Sequence, residues 1–185
     1  MKAKPAGSKK SVMTLANKIT VVRILTIPAI VIGMLEQAHV WVYALLTFSM
    51  ATDLLDGLAA RRRGERTRLG AFLDPLADKL LLIAVYMTLT HMGVIEVWVF
   101  VIIFSRDLLI VLGWSVIYIL TGSSNITPRV LGKVTTAVQM AVALLFMLEV
   151  PETIHHFLLW AMILLTIASA ADYVRLGEKR LGEWT

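Results

Sequence analysis

The sequence predicts an all-α, polytopic membrane protein of six transmembrane helices with both termini in the cytoplasm. Three observations predict it. First, 58% of the 185 residues are hydrophobic and 17% are charged, whereas a soluble domain is nearer half apolar and a quarter charged. Second, apolar runs of membrane-spanning length recur along the whole chain, too often for buried core helices. Third, Lys and Arg gather in alternate loops, as the positive-inside rule requires of an even number of spans. Together these exclude a soluble enzyme, a disordered chain and a secreted disulfide scaffold. The mean hydropathy of +0.77 agrees. A net charge of +5 suits loops facing anionic lipid rather than nucleic acid. With no cysteine in the chain, thiolate nucleophiles and cysteine metal ligands are ruled out.

The elements follow in order. Residues 1–18 form a basic cytoplasmic segment carrying Lys2, Lys4, Lys9, Lys10 and Lys18. Span 1, residues 19–36, is interrupted by Arg23 and Pro28 and lacks a small-residue cleavage site. It reads as a retained membrane segment and not a signal peptide. Span 2 covers 39–58, and Arg61, Arg62, Arg63, Arg66 and Arg68 separate it from span 3 at 71–92. Span 4 covers 94–120, and Arg129 and Lys133 mark the connection to span 5 at 130–149. Span 6 covers 154–173, followed by Arg175, Lys179 and Arg180. The loops after spans 1, 3 and 5 hold no Lys or Arg but carry Glu36, Glu96, Glu149 and Glu152, and all four histidines fall there. Trp41, Trp98 and Trp160 sit near that outer interface, where an aromatic belt belongs. Short loops leave the chain as one domain, 1–185, integral to the cytoplasmic membrane.

Ionisable residues inside spans are costly and functional by default. Spans 2 and 3 hold Asp53, Asp56, Asp74 and Asp78. The first two are three apart and the last two four apart, so each pair shares a helix face. A short basic loop makes these spans an antiparallel hairpin, with all four carboxylates within ~12 Å of its cytoplasmic ends. Four converging carboxylates share protons or bind cations. With no Cys or His nearby, all-oxygen ligation favours Mg²⁺ or Mn²⁺, and two such ions would form a clamp for phosphoryl transfer. A carboxylate-lined cation carrier and structural pairing with Arg61, Lys79 or Arg106 are the alternatives. Gly57 and Ala60 keep the Asp53 face small, and Arg61 follows where it can reach phosphate. An acidic, then small, then basic face suits a metal-bound nucleotide diphosphate.

These residues spell D-x-x-D-G-x-x-A-R-x8-G-x-x-x-D-x-x-x-D from Asp53 to Asp78. In this the chain resembles the CDP-alcohol phosphotransferases, and the resemblance covers most of its length. It implies that Asp53, Asp56, Asp74 and Asp78 hold two divalent metals and that Asp78 is also the general base. It further implies that Gly57, Ala60, Arg61, Thr67 and Gly70 contact the CDP portion of CDP-diacylglycerol. An N-x-x-T-x-x-R element appears as Asn17, Thr20 and Arg23, and Asn17 and Thr20 would line the nucleotide site. Snorkelling of Arg23 is the alternative for that residue. Relatives are often dimeric, so a homodimer is compatible with the resemblance.

The acceptor rests on fewer residues. Arg106, Arg129 and Lys133 would form a basic pocket for a phosphate-bearing alcohol; pairing of Arg106 with Asp107 or a metal-site aspartate is the alternative. Gly132-Lys133 and the compact chain are similar to enzymes that use glycerol 3-phosphate. Those usually carry Arg-Glu in span 4 and G-K-x-K-T later, where this chain has Arg106-Asp107 and Thr135 in place of the second Lys. Ser105-Arg106-Asp107 and the run from Lys133 to Gln139 are similar to the cardiolipin synthases of the same family, whose acceptor is phosphatidylglycerol.

Overall fold

The computed structural model describes the backbone at residues 15–63, 68–121, 130–148 and 151–182, and side chains over 20–52, 76–113, 115, 116, 119, 130–148 and 151–178. Among the described residues there are six helices and no strand: α1 Leu15–Leu35, α2 His39–Arg63, α3 Arg68–His91, α4 Val97–Thr121, α5 Val130–Phe146 and α6 Glu152–Gly182. They follow the predicted order. The main differences are at the ends where Lys and Arg gather, where α2 continues to Arg63 and α6 to Gly182, beyond the predicted 58 and 173. Hydropathy marks where a chain leaves lipid. A helix satisfies its own backbone in water as well as in lipid, so it need not stop there.

Two helix ends show how the turns after α1 and α3 are made. After α1 the amide of Ala38 bonds the Gly33 carbonyl at 2.9 Å and that of Gln37 bonds Met34 at 3.1 Å, with Gln37 at φ 57°. After α3, Val94 bonds Leu89 at 3.0 Å and Gly93 bonds Thr90 at 3.0 Å, with Gly93 at φ 74°. Both are Schellman closures, which satisfy carbonyls that a helix end leaves open. Helix α1 runs through Pro28 and Arg23 without a break.

The chain forms two compact units, one reaching to Leu81 and the other starting at Leu82, with the boundary inside α3. In the first, α1 packs on α2. A Cβ on Gly33 would stand 2.8 Å from Val42 Cγ2, and Val42 is fully buried. The missing side chain therefore sets how closely these helices approach. We expect Gly33→Ala to destabilise the protein by up to ~2 kcal/mol: overpacking a tight contact costs ~1–3 kcal/mol, against ~1 kcal/mol gained in helix propensity. Melting temperatures in detergent micelles check this, and the Gly33→Ala/Val42→Ala pair should lose less than the sum of its single variants.

In the second unit α4 and α5 pack on α6. Its buried seam is apolar at one end, with the Phe146 and His155 rings tilted against each other, centroids 4.1 Å apart. Towards the other end it is polar. There Gln139 Nε2 donates to Thr166 Oγ1 at 3.0 Å, and the Tyr86 hydroxyl donates to the Gln139 carbonyl at 2.8 Å. Trp98 and Trp160 lie 5.9 Å apart between ring centres, and the Trp98 indole N–H donates to Glu96.

Large apolar side chains face outwards: Trp41 is 73% exposed, Phe157 73% and Ile119 77%. Among the described residues one helical stretch, Glu152–Glu178, is long and apolar enough to cross a membrane, and 22% of its most apolar window is buried. A core helix of a soluble protein would be mostly buried. This surface calls for lipid as its solvent.

Candidate functional site

The signature residues lie on two helices. Asp53, Asp56, Gly57, Ala60 and Arg61 belong to α2, and Gly70, Asp74 and Asp78 to α3. Asp53 stands ten residues before the last residue of α2, and Asp78 ten after the first of α3. At ~1.5 Å per residue, each is ~15 Å along its own helix. Asp56 and Asp74 stand seven and six residues from the same ends, or ~10 Å. These positions therefore lie somewhat farther from their helix ends than the spans predict, because both helices continue past their apolar stretches. They still pair by depth, one from each helix. The side chains of Asp53, Asp56, Asp74 and Arg61 lie outside the described residues, as does that of Asn17, and Thr67 and Arg129 fall outside the described backbone.

Asp78 is described, and its partner comes from α1. Arg23 Nη1 donates to Asp78 Oδ1 at 2.6 Å, with the Arg23 side chain 4% and the Asp78 side chain 32% exposed. Thr20, one turn before Arg23, is buried as well. The Asn17, Thr20, Arg23 spacing puts all three positions on one face of α1, and the Arg23 contact brings that face onto Asp78. Sequence reasoning named Arg61, Lys79 or Arg106 as ion partners of the aspartates and offered snorkelling for Arg23. The one-face spacing of the N-terminal element was the signal that could have paired Arg23 with Asp78.

Four aspartates on α2 and α3 would offer a divalent metal carboxylate oxygens alone. The donor set is all carboxylate oxygen, the chemistry that Mg²⁺ and Mn²⁺ take. Asp78 places one oxygen on the Arg23 guanidinium, and its side chain is 32% exposed. Among the described residues no group of three or more acidic or histidine side chains gathers, since three of the four aspartates contribute no described side chain.

Two of the residues expected at an acceptor pocket, Arg106 and Lys133, are described, both in the second unit. Arg106, on α4, is 4% exposed. Its Nη1 donates to Asp107 Oδ1 at 2.7 Å and its Nη2 to Ser169 Oγ at 2.7 Å. Longer bonds run from Nη2 to the Gly132 carbonyl and from Nε to Ser169 Oγ, both 3.3 Å. One guanidinium thus ties α4 to α5 and α6. Lys133, next to Gly132 in the first turn of α5, is exposed. Thr135 is fully buried, its hydroxyl on the Leu131 carbonyl at 2.8 Å. Ser169 was not singled out by sequence reasoning. A lone serine on an apolar helix gives no signal until its partner is known.

The chain is similar to known proteins along most of its length. The family described as CDP-alcohol phosphatidyltransferase matches residues 13–169. A probable phosphatidylglycerophosphate synthase of Mycobacterium tuberculosis is 31% identical over 186 residues, covering 95% of this chain and 87% of its own length. A CDP-diacylglycerol–glycerol-3-phosphate 3-phosphatidyltransferase of Bacillus subtilis is 31% identical over 181 residues, covering 86% of this chain and 92% of its own. A CMP-forming cardiolipin synthase of Homo sapiens is 31% identical over 190 residues, covering 90% of this chain and 62% of its own.

Proposed function

This chain belongs to the CDP-alcohol phosphatidyltransferase family, and on that premise we propose that it transfers the phosphatidyl group of CDP-diacylglycerol to glycerol 3-phosphate, forming phosphatidylglycerophosphate and releasing CMP. Membership makes it a transferase of phospholipid biosynthesis and sets aside the cation carrier. The observation that carries the acceptor is the near full-length match to the mycobacterial and Bacillus proteins, whose names specify that product or that acceptor.

The proposed mechanism assigns each step to residues of this chain. Asp53, Asp56, Asp74 and Asp78 hold two divalent ions, Mg²⁺ or Mn²⁺. When bound, these supply neutralisation of the pyrophosphate charge. Gly57, Ala60 and Gly70 let the CDP portion approach the helix backbone, and Asn17, Thr20 and Thr67 border it. Asp78, oriented by Arg23, takes the proton of the acceptor hydroxyl. The freed oxygen attacks the phosphorus that carries the lipid alcohol. The bond from that phosphorus to the bridging oxygen of CMP breaks, and Arg61 holds the charge left on CMP. Arg106, Arg129 and Lys133 serve the acceptor phosphate. In this reading six spans cross the cytoplasmic membrane, both termini and the site face the cytoplasm, and a homodimer is the assembly to look for.

One observation favours phosphatidylglycerol as the acceptor instead. Thr135, fully buried, stands where the glycerol-3-phosphate enzymes usually carry a second lysine. An acceptor screen decides. Purified protein with CDP-diacylglycerol and Mg²⁺ should release CMP with glycerol 3-phosphate, and EDTA should abolish that release. CMP release with phosphatidylglycerol alone overturns the leading acceptor.

A further inference from the structure

Within the proposed acceptor site, we infer that Arg106 is a positioning residue: it fixes the start of α5 through the Gly132 carbonyl, so that Lys133 is held where it meets the acceptor phosphate. The inference rests on the proposed use of a phosphate-bearing acceptor.

The bonds of Arg106 carry it. A guanidinium that binds phosphate directly needs a fork of open N–H groups. Here Asp107, Ser169 and the Gly132 carbonyl take up all but one of them. The side chain is also 4% exposed, and Asp107 beside it 6%. An incoming anion would meet that carboxylate as well as the guanidinium.

Gly132 is shaped to this arrangement. A Cβ there would stand 3.2 Å from Arg106 Nη2 and 3.6 Å from Tyr173 Cε2. The absent side chain lets the α5 backbone rest on the guanidinium. Lys133 is the next residue and is exposed. Its direction from the helix depends on how the preceding turn is held. Thr136 Oγ1 also bonds the Gly132 carbonyl, at 3.1 Å, so that oxygen is held from two sides. Arg106, Ser169 and Gly132 therefore act on the phosphate through the placement of Lys133.

A double-mutant cycle on the full chain tests this. Initial rates are measured against glycerol 3-phosphate for the wild type, Gly132→Ala, Lys133→Ala and the pair. Lys133→Ala should raise KM for the acceptor about tenfold, and Gly132→Ala should do the same, with kcat and the KM for CDP-diacylglycerol unchanged within about twofold. The pair should be no worse than Lys133→Ala alone, because one variant acts through the other. Ser169→Ala, which loosens Arg106 without adding bulk, should move the acceptor KM in the same direction. It keeps the test alive if Gly132→Ala lowers the melting temperature. Multiplied effects in the pair, about a hundredfold in KM, would overturn the inference. So would an Arg106→Lys variant as impaired in acceptor KM as Lys133→Ala while Gly132→Ala and Ser169→Ala leave it unchanged. If the wild type uses phosphatidylglycerol alone, the functional reading fails. The same cycle run with that phosphodiester then decides the inference by the same outcomes.

Discussion

Replacing Asp78 by Asn should lower CMP release by about a thousandfold or more while CDP-diacylglycerol still binds. The amide keeps the shape of the carboxylate and an oxygen for a cation, but it cannot take the proton of the acceptor hydroxyl. Proton transfer by a placed base contributes ~10²–10⁴-fold, and weakened metal binding adds to the loss. The contact at 2.6 Å with Arg23 makes a second, smaller expectation part of the same result. Arg23→Ala leaves the base in place but releases its carboxylate, so the rate should fall by roughly 10–100-fold, the usual penalty for a group that orients another. CMP release by chromatography measures both, and a thermal shift on adding the CDP-lipid reports binding. If Asp78→Asn kept more than a tenth of the wild-type rate at saturating acceptor, another group would have to be the base.

Replacing Arg106 by Met should be the most destabilising change in the second unit, by ~3–5 kcal/mol. The side chain is 4% exposed and its removal takes the guanidinium from Asp107, whose side chain is 8% exposed. Breaking one side of a buried ion pair costs that much because a charge stays behind in a poor solvent for it. Ser169 Oγ and the Gly132 carbonyl lose a donor too. The combined Arg106→Met/Asp107→Leu variant should recover most of the loss, since replacing both charges with apolar groups is often neutral or better. It should not recover the acceptor KM. Melting temperatures in one detergent separate the two variants. If the combined variant were less stable than Arg106→Met, Asp107 would be held by contacts that outweigh its pairing with Arg106.

The two expectations draw on different kinds of information. The four aspartates, Gly57 and Arg61 are legible in sequence because their spacing is local: three or four residues place side chains on one helix face whatever the helix packs against. The pairing of Asp78 is not local. Its partner is 55 positions away, on a helix whose own arginine had two sequence readings. Arg106 is intermediate. Asp107, its neighbour, was visible as a partner, but Ser169 lies 63 positions on, and an exposed serine and a buried one look the same in sequence.

What the sequence determined by itself is the all-α class, the order and approximate extent of the six described helices, and the family to which the signature points. Hydropathy and helical period are properties of single residues and short spacings, so they survive without knowledge of neighbours. Even the helix ends were determined only approximately, since Arg63 and Gly182 continue helices beyond the apolar runs that announced them. What only the tertiary structure decided is which buried charge meets which: Arg23 with Asp78, and Arg106 with Asp107, Ser169 and the Gly132 carbonyl. The reason is physical. A charge in an apolar bundle takes whatever partner the packing brings within about 3 Å, and that packing turns on small features such as the absent side chains of Gly33 and Gly132.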